Sequence, residues 1–514
     1  MSREPHPEVD LPCQLPFKGC VRDGAPRWRS TAAVFTSMAA LAATSLVTGP
    51  ALAEPGALGC ELRRTDAHHS EGVDTWNAAY PRPTRPLDAV MVFLSFPDSA
   101  PLTAPAELTA DYFPATSHFF ERASYGRFTL RPHAPTGWIR MPHPSTSYAM
   151  RRDWNAEHRA AYLRDALSAA DGQVDFSRYD IVYFVADPDA PGVDSDATKV
   201  VNLDSPLRAD GKDIRRVVTV FEKHPPDRLV LAHETGHVFD LPDLYHRPTD
   251  GKGDWDTYVG DWDLMGSQFG LAPDLFAWHK WRLGWLDPHQ VVCVRSRGIT
   301  RLTLEPLGVG PAPAAAAGAT PTSGATPSPG ATLSPGATPS PGSVTGVGAT
   351  PSPASVTGSV TGADSVAGAG SASPGAGLLG LDIASGAVSH GPEVPAPATA
   401  FGVGRGTKLA VVRTGPDSAL AFEARGPAGN DGSTCSQGIL VYRVRSEAES
   451  GAGPVQVVDA HPLSESCWGD SVYPPLADAP VGLGESFTVP GEGVKVEVED
   501  RTPSGAWTVQ IATR

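Results

Sequence analysis

Residues 87–290 alternate between short apolar runs, which are typical of strands, and stretches with helical spacing of apolar positions. A run that is almost wholly apolar or β-branched predicts a strand buried on both faces. Strands are predicted at residues 87–94, 124–130, 180–185 and 216–221, and a helix at residues 154–170. Since strands and helices are interleaved, this part of the chain is predicted to be a domain of the α/β or α+β class.

Residues 291–514 contain strand-like runs separated by turn signals. Strands are predicted at residues 299–304, 408–413, 438–444 and 494–498. Short strands of this kind with frequent turns predict an all-β, sandwich-like domain in the C-terminal part of the chain.

Residues 308–405 interrupt this β-domain with Ala, Gly, Pro, Ser and Thr and almost no charge. The sequence Gly-Ala-Thr-Pro-Ser-Pro begins at residues 324, 336 and 348. Such a composition buries too little apolar surface to offset the entropy of ordering, which predicts a disordered segment. Because strand-like sequence flanks it on both sides, we interpret it as an insertion whose flanking strands form a hairpin when it is removed.

The N-terminal region carries the signals of a secretory leader. Arg27 and Arg29 precede a short apolar run, and Ala-Leu-Ala at residues 51–53 is a small-residue cleavage site. Residues 1–53 are therefore predicted to be a signal peptide with a long n-region, followed by an N-terminal segment at residues 54–86. A single membrane anchor is the alternative, but Thr and Ser interrupt the run and no basic cluster follows. We expect a secreted, extracellular protein without stable membrane association.

The composition narrows the classes of partner. The chain has 514 residues, and its 41% hydrophobic content is enough for a sizeable core. Acidic residues outnumber basic ones by 57 to 41, which gives a net charge of −16. A chain with this charge balance lacks the basic surface that binds nucleic acids and anionic lipids. Nucleic acid is therefore excluded as an expected partner.

Four cysteines remain after removal of the leader: Cys60, Cys293, Cys435 and Cys467. An even number in an oxidising compartment predicts disulfides. Cys435 and Cys467 lie within one C-terminal segment and are predicted to form one disulfide. The second predicted disulfide then joins Cys60 to Cys293. The alternative for Cys60 is a free thiol that caps a metal until the N-terminus is removed.

The strongest chemical signal is the sequence His-Glu-Thr-Gly-His at residues 233–237. On a helix, His233 and His237 are four residues apart and project from one face, so that both imidazoles reach one Zn²⁺. Glu234 lies about 100° further around the helix. Its carboxylate is placed to polarise a metal-bound water without ligating the ion.

Two features downstream extend this metal motif. A helix that ends about one turn after His237 can turn back and present Asp243, a hard oxygen donor, as the third ligand. Met265 lies in a polar turn bounded by glycines, which resembles the methionine turn beneath the zinc of metzincin-type peptidases. His246 is the alternative third ligand, because its imidazole follows His237 by nine residues.

At this point residues 87–290 resemble the immune inhibitor A family of secreted metallopeptidases. The blocks that carry the resemblance are residues 95–98, 119–126, 233–237, 241–245, 260–267 and 277–285. The resemblance implies a metzincin-like zinc endopeptidase with His233, His237 and Asp243 as ligands and Glu234 as general base. The chain departs from the family at Asp240, where the family has Gly, and at His246, where it has Asp.

Two further groups of polar residues are candidates for other roles. Five aspartates crowd a Gly-rich loop, where hard carboxylates could hold Ca²⁺ as a second metal: Asp250, Asp254, Asp256, Asp261 and Asp263. The alternative is a solvated acidic loop. His68 and His69 are predicted to be surface residues rather than ligands.

Together these observations predict an α+β metzincin-like zinc peptidase domain at residues 87–290, followed by an all-β sandwich-like domain at residues 291–514 with a long disordered insertion. The expected function is zinc-dependent hydrolysis of extracellular proteins or peptides. The alternative is a non-catalytic secreted binding protein that retains the peptidase fold. No serine-hydrolase elbow or phosphate-binding loop occurs in the sequence.

Overall fold

The computed structural model of the chain describes residues 59–227, 229–248, 253–295, 297–310 and 406–514. The signal peptide predicted at residues 1–53 lies outside the described residues. So does the low-complexity segment, apart from residues 308–310. No helix in the described part of the chain is long and apolar enough to cross a membrane.

A six-stranded sheet forms the framework of the N-terminal half. Its strands are β1 (Leu87–Ser95), β2 (Leu130–His133), β3 (Ile139–Arg140), β4 (Ile181–Ala186), β5 (Lys199–Ala209) and β6 (Lys212–Val220). The strand order is β2-β1-β4-β6-β5, with β3 also beside β1. All pairs are parallel except β5 with β6, so β5 is an antiparallel edge strand. The nearly continuous apolar sequences of β1 and β4 agree with their position inside a sheet covered on both faces.

Helices cover both faces of this sheet. They are α1 (Pro105–Tyr112), α2 (Ala115–Ala123), α3 (Ala156–Ala170), α4 (Val230–Val238) and α5 (Ala277–Arg282), and a further short helix, α6, is at Pro474–Ala477. On one face, Tyr162 of α3 belongs to the same buried cluster as Val92 of β1. On the other face, Leu231 of α4 belongs to the cluster of Met91. The alternation of side chains along β1 therefore divides the core into two layers, and α4 lies in the second.

The remaining strands form two further sheets. They are β7 (Val291–Cys293), β8 (Gly298–Leu304), β9 (Leu409–Arg413), β10 (Ser418–Arg425), β11 (Gly438–Arg445), β12 (Val455–Val457), β13 (Ser486–Val489), β14 (Val494–Arg501) and β15 (Trp507–Thr513). One sheet has the order β12-β11-β10-β9-β7, and the other has the order β13-β14-β15-β8.

The five-stranded sheet is buried on both faces. Leu420 and Phe422 of β10 pack against the four-stranded sheet, in a cluster that includes Val496. Ala421 and Tyr442 face the other way and belong to the core that contains α4. The two β-sheets thus pack face to face, and one of them also contacts the N-terminal half directly. The mixed α/β architecture with several sheets confirms the coarse part of the fold prediction.

The strand predicted at residues 124–130 is wrong for most of its length. Helix α2 ends at Ala123, and both Tyr125 and Gly126 have left-handed backbone angles, with φ of 57° and 75°. The Ser124 hydroxyl accepts a hydrogen bond from the Phe128 amide at 3.1 Å, which stabilises a turn. The apolar residues of this stretch therefore fill the core from a loop, and the strand begins only at Leu130.

The strands that flank the low-complexity segment do not form the expected hairpin. β8 pairs with β15 and β9 pairs with β10 and β7, so the two strands lie in different sheets. The chain nevertheless returns close to its departure point, because the Glu305 amide donates to the Thr407 carbonyl at 2.8 Å. The two ends of the segment therefore belong to one unit of the fold.

Replacement of residues 311–405 by a short Gly/Ser linker is therefore expected to leave the fold intact. Loop-closure entropy depends only logarithmically on length, so the free energy of unfolding should change by about 1–3 kcal/mol at most. Urea unfolding of the shortened and full-length chains measures this difference. A shortened chain that fails to fold would show that residues 311–405 contribute essential contacts.

Both predicted disulfides are confirmed. Cys60 is bonded to Cys293 with Cα atoms 5.7 Å apart, and Cys435 is bonded to Cys467 with Cα atoms 6.3 Å apart. Cys60 is buried and has no free thiol, so it does not cap a metal in this structure. The first disulfide ties the N-terminal segment to β7.

Candidate metal centre

Helix α4 positions the two histidines of the motif. Every residue of α4 is buried. Its apolar first turn packs in the core, and its two histidines line a cavity. Gly236 lies between the histidines, and a Cβ atom at this position would collide with the Met265 sulfur. The absence of a side chain at Gly236 therefore allows α4 to pack directly on the turn that contains Met265.

Backbone carbonyls orient both imidazole rings. Nδ1 of His233 lies 2.9 Å from the Leu264 carbonyl oxygen, and Nδ1 of His237 lies 2.8 Å from the Leu241 carbonyl oxygen. Since a carbonyl only accepts, each Nδ1 carries the proton and donates it. In the neutral form of each ring, Nε2 then presents its lone pair, which is the arrangement usual for metal-binding histidines.

Asp243 completes a group of three converging donor atoms. Its Oδ1 lies 3.0 Å from Nε2 of His237 and 3.5 Å from Nε2 of His233. This oxygen is buried and has no hydrogen-bond partner of suitable geometry. A buried carboxylate oxygen that faces two imidazole lone pairs is otherwise costly, and a divalent cation between the three atoms would satisfy all of them.

The C-terminal part of the chain holds Asp243 in place. The Asp243 amide donates to the Ser450 hydroxyl oxygen at 2.8 Å, and that hydroxyl lies 3.3 Å from Oδ2 of Asp243. The Gly451 amide donates to the Asp243 carbonyl at 2.9 Å. The loop between β11 and β12 thus supports a donor that lies more than two hundred residues earlier in the chain, a contribution that the sequence motif did not reveal.

The electrostatics of the donor group favour a positive charge among its atoms. Burial would raise the pKa of Asp243, but the two histidines hold it well below its usual value. Burial would lower the pKa of His237, but Asp243 and Glu234 raise it to about 9. A proton thus takes the place that a cation would occupy, and metal binding would release it.

Glu234 lies beside the donor atoms without joining them. Its Oε2 accepts a hydrogen bond from the Val200 amide of β5 at 2.7 Å. Burial raises the pKa of this carboxyl group above its ordinary value, although the neighbouring histidines oppose the shift. A carboxylate with a raised pKa, held by one oxygen, is suited to accept and release a proton.

Met265 is held in a tight turn under α4. Its amide donates to Oδ1 of Asp263 at 2.8 Å, and its carbonyl accepts from the Leu244 amide at 2.9 Å. The turn therefore connects the floor of the site with the segment that carries Asp243. Its preceding residue, Leu264, supplies the carbonyl that orients His233.

His246, the alternative third ligand, does not join the donor group. Its Nδ1 lies 3.1 Å from the Tyr258 hydroxyl, and its ring packs against the ring of Tyr258. Within the described residues, the potential metal-binding group at this site consists of His233, His237 and Asp243. The structure therefore brings Asp243, and not His246, to the two histidines.

The acidic loop is only partly described, because Asp250 lies outside the described residues. Asp261 accepts hydrogen bonds from the Leu271 and Val472 amides, both at 3.1 Å. Asp263 accepts from the Met265 amide and belongs to the network under the site. Asp261 and Asp263 thus have structural partners, and calcium binding in this loop stays a prediction.

The expectation that His68 and His69 are surface residues holds for His68 and is wrong for His69. His68 is exposed, whereas His69 is buried and its ring stacks on that of His237, with centroids 5.7 Å apart. Nδ1 of His69 lies 2.8 Å from Asp240. The N-terminal segment therefore folds against a proposed metal ligand, which local sequence spacing cannot reveal.

Asp240 has a structural role at the turn that follows α4. Its φ of 67° is left-handed, a conformation that favours Gly and that Asp tolerates better than most residues. Its carboxylate forms ion pairs with Arg64 at 2.7 Å and with Arg282 at 2.8 Å, besides the contact with His69. The Asp240 carboxylate thus anchors the N-terminal segment to the turn after α4.

A buried network of charges extends from Asp240 to the methionine turn. Glu71 lies 3.7 Å from Arg282 and 2.7 Å from His279, and His279 lies 3.1 Å from Asp263. The carboxylates of the network are Asp240, Glu71 and Asp263, and its cations are Arg64, Arg282 and protonated His279. These charges balance when His69 is neutral, so the network is compatible with burial.

The two histidines of this network should give the metal-free protein a stability maximum near pH 6.5. Burial lowers the pKa of His69 from 6.5 to about 4, so stability should rise with pH across this interval. Burial opposes protonation of His279, but Glu71 and Asp263 outweigh it and raise its pKa to about 10. The contribution of protonated His279 to the free energy of unfolding is therefore fully present below pH 6.5 and should be lost as the pH rises towards 10.

Urea unfolding of the chelator-treated protein between pH 4 and pH 10 measures this profile. His279→Gln should reduce the alkaline slope by about one proton, which is about 1.4 kcal/mol per pH unit. His237 contributes a decline of the same sign in the metal-free chain, so a residual slope is expected. An unchanged slope in His279→Gln would contradict the assigned protonation of His279.

The donor group opens into a cavity of about 360 Å³. Glu234, the three donor residues and residues of β5 line it. The sequence analysis identified the donor residues and Glu234 but missed Val200 and Ser450. A scan against protein-family models and a search of curated proteins both find no significant match to the chain. A functional interpretation therefore depends on the chemistry of this cavity.

Proposed function

We propose that the chain is a secreted zinc-dependent endopeptidase that hydrolyses extracellular proteins. The observation that supports this best is the convergence of Nε2 of His233, Nε2 of His237 and Oδ1 of Asp243, with the Glu234 carboxylate beside them. Two imidazoles and one carboxylate form a ligand set that suits Zn²⁺ and leaves a position for water or substrate.

Two roles are assigned to the residues of the site: three of them would bind the metal ion, and one transfers a proton. His233, His237 and Asp243 would hold zinc, which when bound acidifies water and polarises a carbonyl group. Glu234 accepts the proton of the attacking water and passes it to the leaving amine. Its raised pKa suits both steps, and the Val200 amide keeps the carboxylate from rotating away.

Strand β5 offers a binding edge for an extended polypeptide. It pairs only with β6 among the described strands, and its Val200 amide, which lines the cavity, donates a hydrogen bond to Glu234. An extended peptide can pair with the exposed edge of a strand through main-chain hydrogen bonds. This arrangement supports a polypeptide substrate cleaved at an internal bond.

Two observations support an extracellular site of action. The chain has the sequence of a secretory leader at residues 1–53, and both of its disulfides are of the kind that persists in an oxidising compartment. A secreted location would also give the enzyme access to extracellular protein substrates.

A casein digest with and without a zinc chelator tests the proposal. We expect the purified protein to degrade labelled casein, to lose this activity with 1,10-phenanthroline, and to regain it when zinc is restored. Activity that persists after complete removal of the metal would contradict a metal-dependent mechanism. Stoichiometric zinc without any proteolysis would instead indicate the non-catalytic binding protein.

A further inference from the structure

Three cationic side chains line the cavity, those of Arg152, Lys199 and Arg247, and we refer to these three residues together as the cationic wall. No carboxylate among the described residues lies within 4.0 Å of their charged groups. Among the residues that the structure describes, Asp196 is the only acidic one that lines the cavity besides Glu234 and Asp243. A positive wall is unusual for a chain with a net charge of −16.

Arg152 is connected to the donor group by a series of aromatic contacts. Its guanidinium lies 4.5 Å from the centre of the Trp255 ring, an arrangement that favours a cation. The Trp255 ring lies 5.4 Å from that of Tyr245, and Tyr245 stacks on His233 at 6.3 Å. Arg152 thus lines the same cavity as a proposed metal ligand, although it is exposed to solvent.

Lys199 and Arg247 also line the cavity. Lys199 directly precedes Val200, and its ammonium group donates to the Arg152 carbonyl oxygen. Burial lowers the pKa of Lys199, and the positive charges of Arg159 and Arg247 lower it further. Lys199 and Arg247 therefore repel each other, and a bound anion would relieve that repulsion.

We propose that this wall binds the carboxylate of an Asp or Glu side chain next to the scissile bond of the substrate. The inference rests on the proposed function and adds a substrate preference to it. Two arginines offer planar, bidentate donors that match a carboxylate, and Lys199, which directly precedes the Glu234 contact Val200, adds a point charge. The same wall repels substrates with Lys or Arg at that position.

Quenched fluorescent peptides that differ at one position test this preference. Each residue flanking the scissile bond is made Glu, Gln or Lys in turn, and kcat/KM is measured with the zinc-loaded, full-length protein. At one position, Glu should exceed Gln by about tenfold and Lys by more. The preference should weaken with added salt, because the cations are partly exposed.

Charge-reversal variants locate the preference on the wall. Arg152→Glu and Arg247→Glu should each bring the ratio of Glu to Gln peptides towards one, and the double variant should favour Lys. The matched control is Arg131→Glu on β2, at the opposite edge of the sheet from β5. It changes the net charge equally and should leave the ratio as in the wild type.

A binding measurement separates this inference from the proposed function. Fluorescence anisotropy with labelled Glu and Gln peptides is performed on zinc-loaded Glu234→Gln protein, in which cleavage is not needed. Tighter binding of the Glu peptide, lost in Arg152→Glu, supports the inference even if no peptide is cleaved. Equal binding and equal kcat/KM for Glu and Gln at every position would overturn it, as would an equal effect of Arg131→Glu.

Discussion

Glu234→Gln is expected to abolish proteolysis while zinc content stays near one ion per chain. Gln has the size of Glu, and its amide oxygen can still accept from the Val200 amide, but it cannot take a proton from water. Loss of a general base reduces turnover by about 10²–10⁴-fold. Hydrolysis of labelled casein and metal analysis of the same preparation measure the two quantities together.

The matched control for this variant is Glu157→Gln on α3, because Glu157 is exposed and lies outside the cavity. It should retain wild-type activity and zinc content. Near-normal proteolysis by Glu234→Gln would show that another group accepts the proton. A loss of zinc in this variant would instead show that Glu234 is a ligand.

Asp243→Ala is expected to lose zinc, whereas His246→Ala is expected to retain it. Asp243 supplies the oxygen that lies 3.0 Å from Nε2 of His237, whereas His246 contacts Tyr258. Loss of an outer hydrogen-bond partner costs about 10–100-fold in metal affinity, so loss of a ligand should exceed about 100-fold. Competition with a chromophoric chelator measures zinc affinity in both variants.

Comparison of the Asp243→Ala and His246→Ala variants shows which of the two residues is the third zinc ligand. Both substitutions leave the same small side chain, and the two positions are three residues apart, so general damage to the loop would affect both. If His246→Ala lost zinc and Asp243→Ala retained it, the structural assignment of Asp243 would be wrong. Circular dichroism of both variants checks that α4 and its surroundings remain folded.

The parts of the site that local sequence spacing determines could be predicted. His233, Glu234 and His237 lie within one helix, and Asp243 follows after a single turn of chain, so their relative positions depend on short-range geometry. Apolar runs such as β1 and β4 were likewise recognisable as buried strands. The pairing of the four cysteines followed from their even number and their positions.

The supporting residues could not be predicted, because they meet the site only through long-range folding. His69 contacts Asp240 from 171 residues away, and Ser450 contacts Asp243 from 207 residues away. No periodicity connects such positions along the chain. The turn at Tyr125 was missed for a different reason: its neighbours are apolar like those of a strand, although they fill the core from a loop.

Asp240 illustrates how a residue other than Gly can fit a left-handed turn and gain a structural role there. Its left-handed backbone retains the turn that Gly would favour, and its carboxylate pairs with Arg64 and Arg282. Because Arg64 belongs to the N-terminal segment, the position connects that segment to the helix of the proposed zinc site.

Anomalous diffraction at the zinc absorption edge, from crystals of the protein grown with stoichiometric zinc, tests the central claim most directly. We expect one strong peak about 2.0–2.2 Å from Nε2 of His233, Nε2 of His237 and a carboxylate oxygen of Asp243. Glu234 should lie close to the ion without contacting it. A peak elsewhere in the chain, or zinc bound by His246 in place of Asp243, would contradict the account.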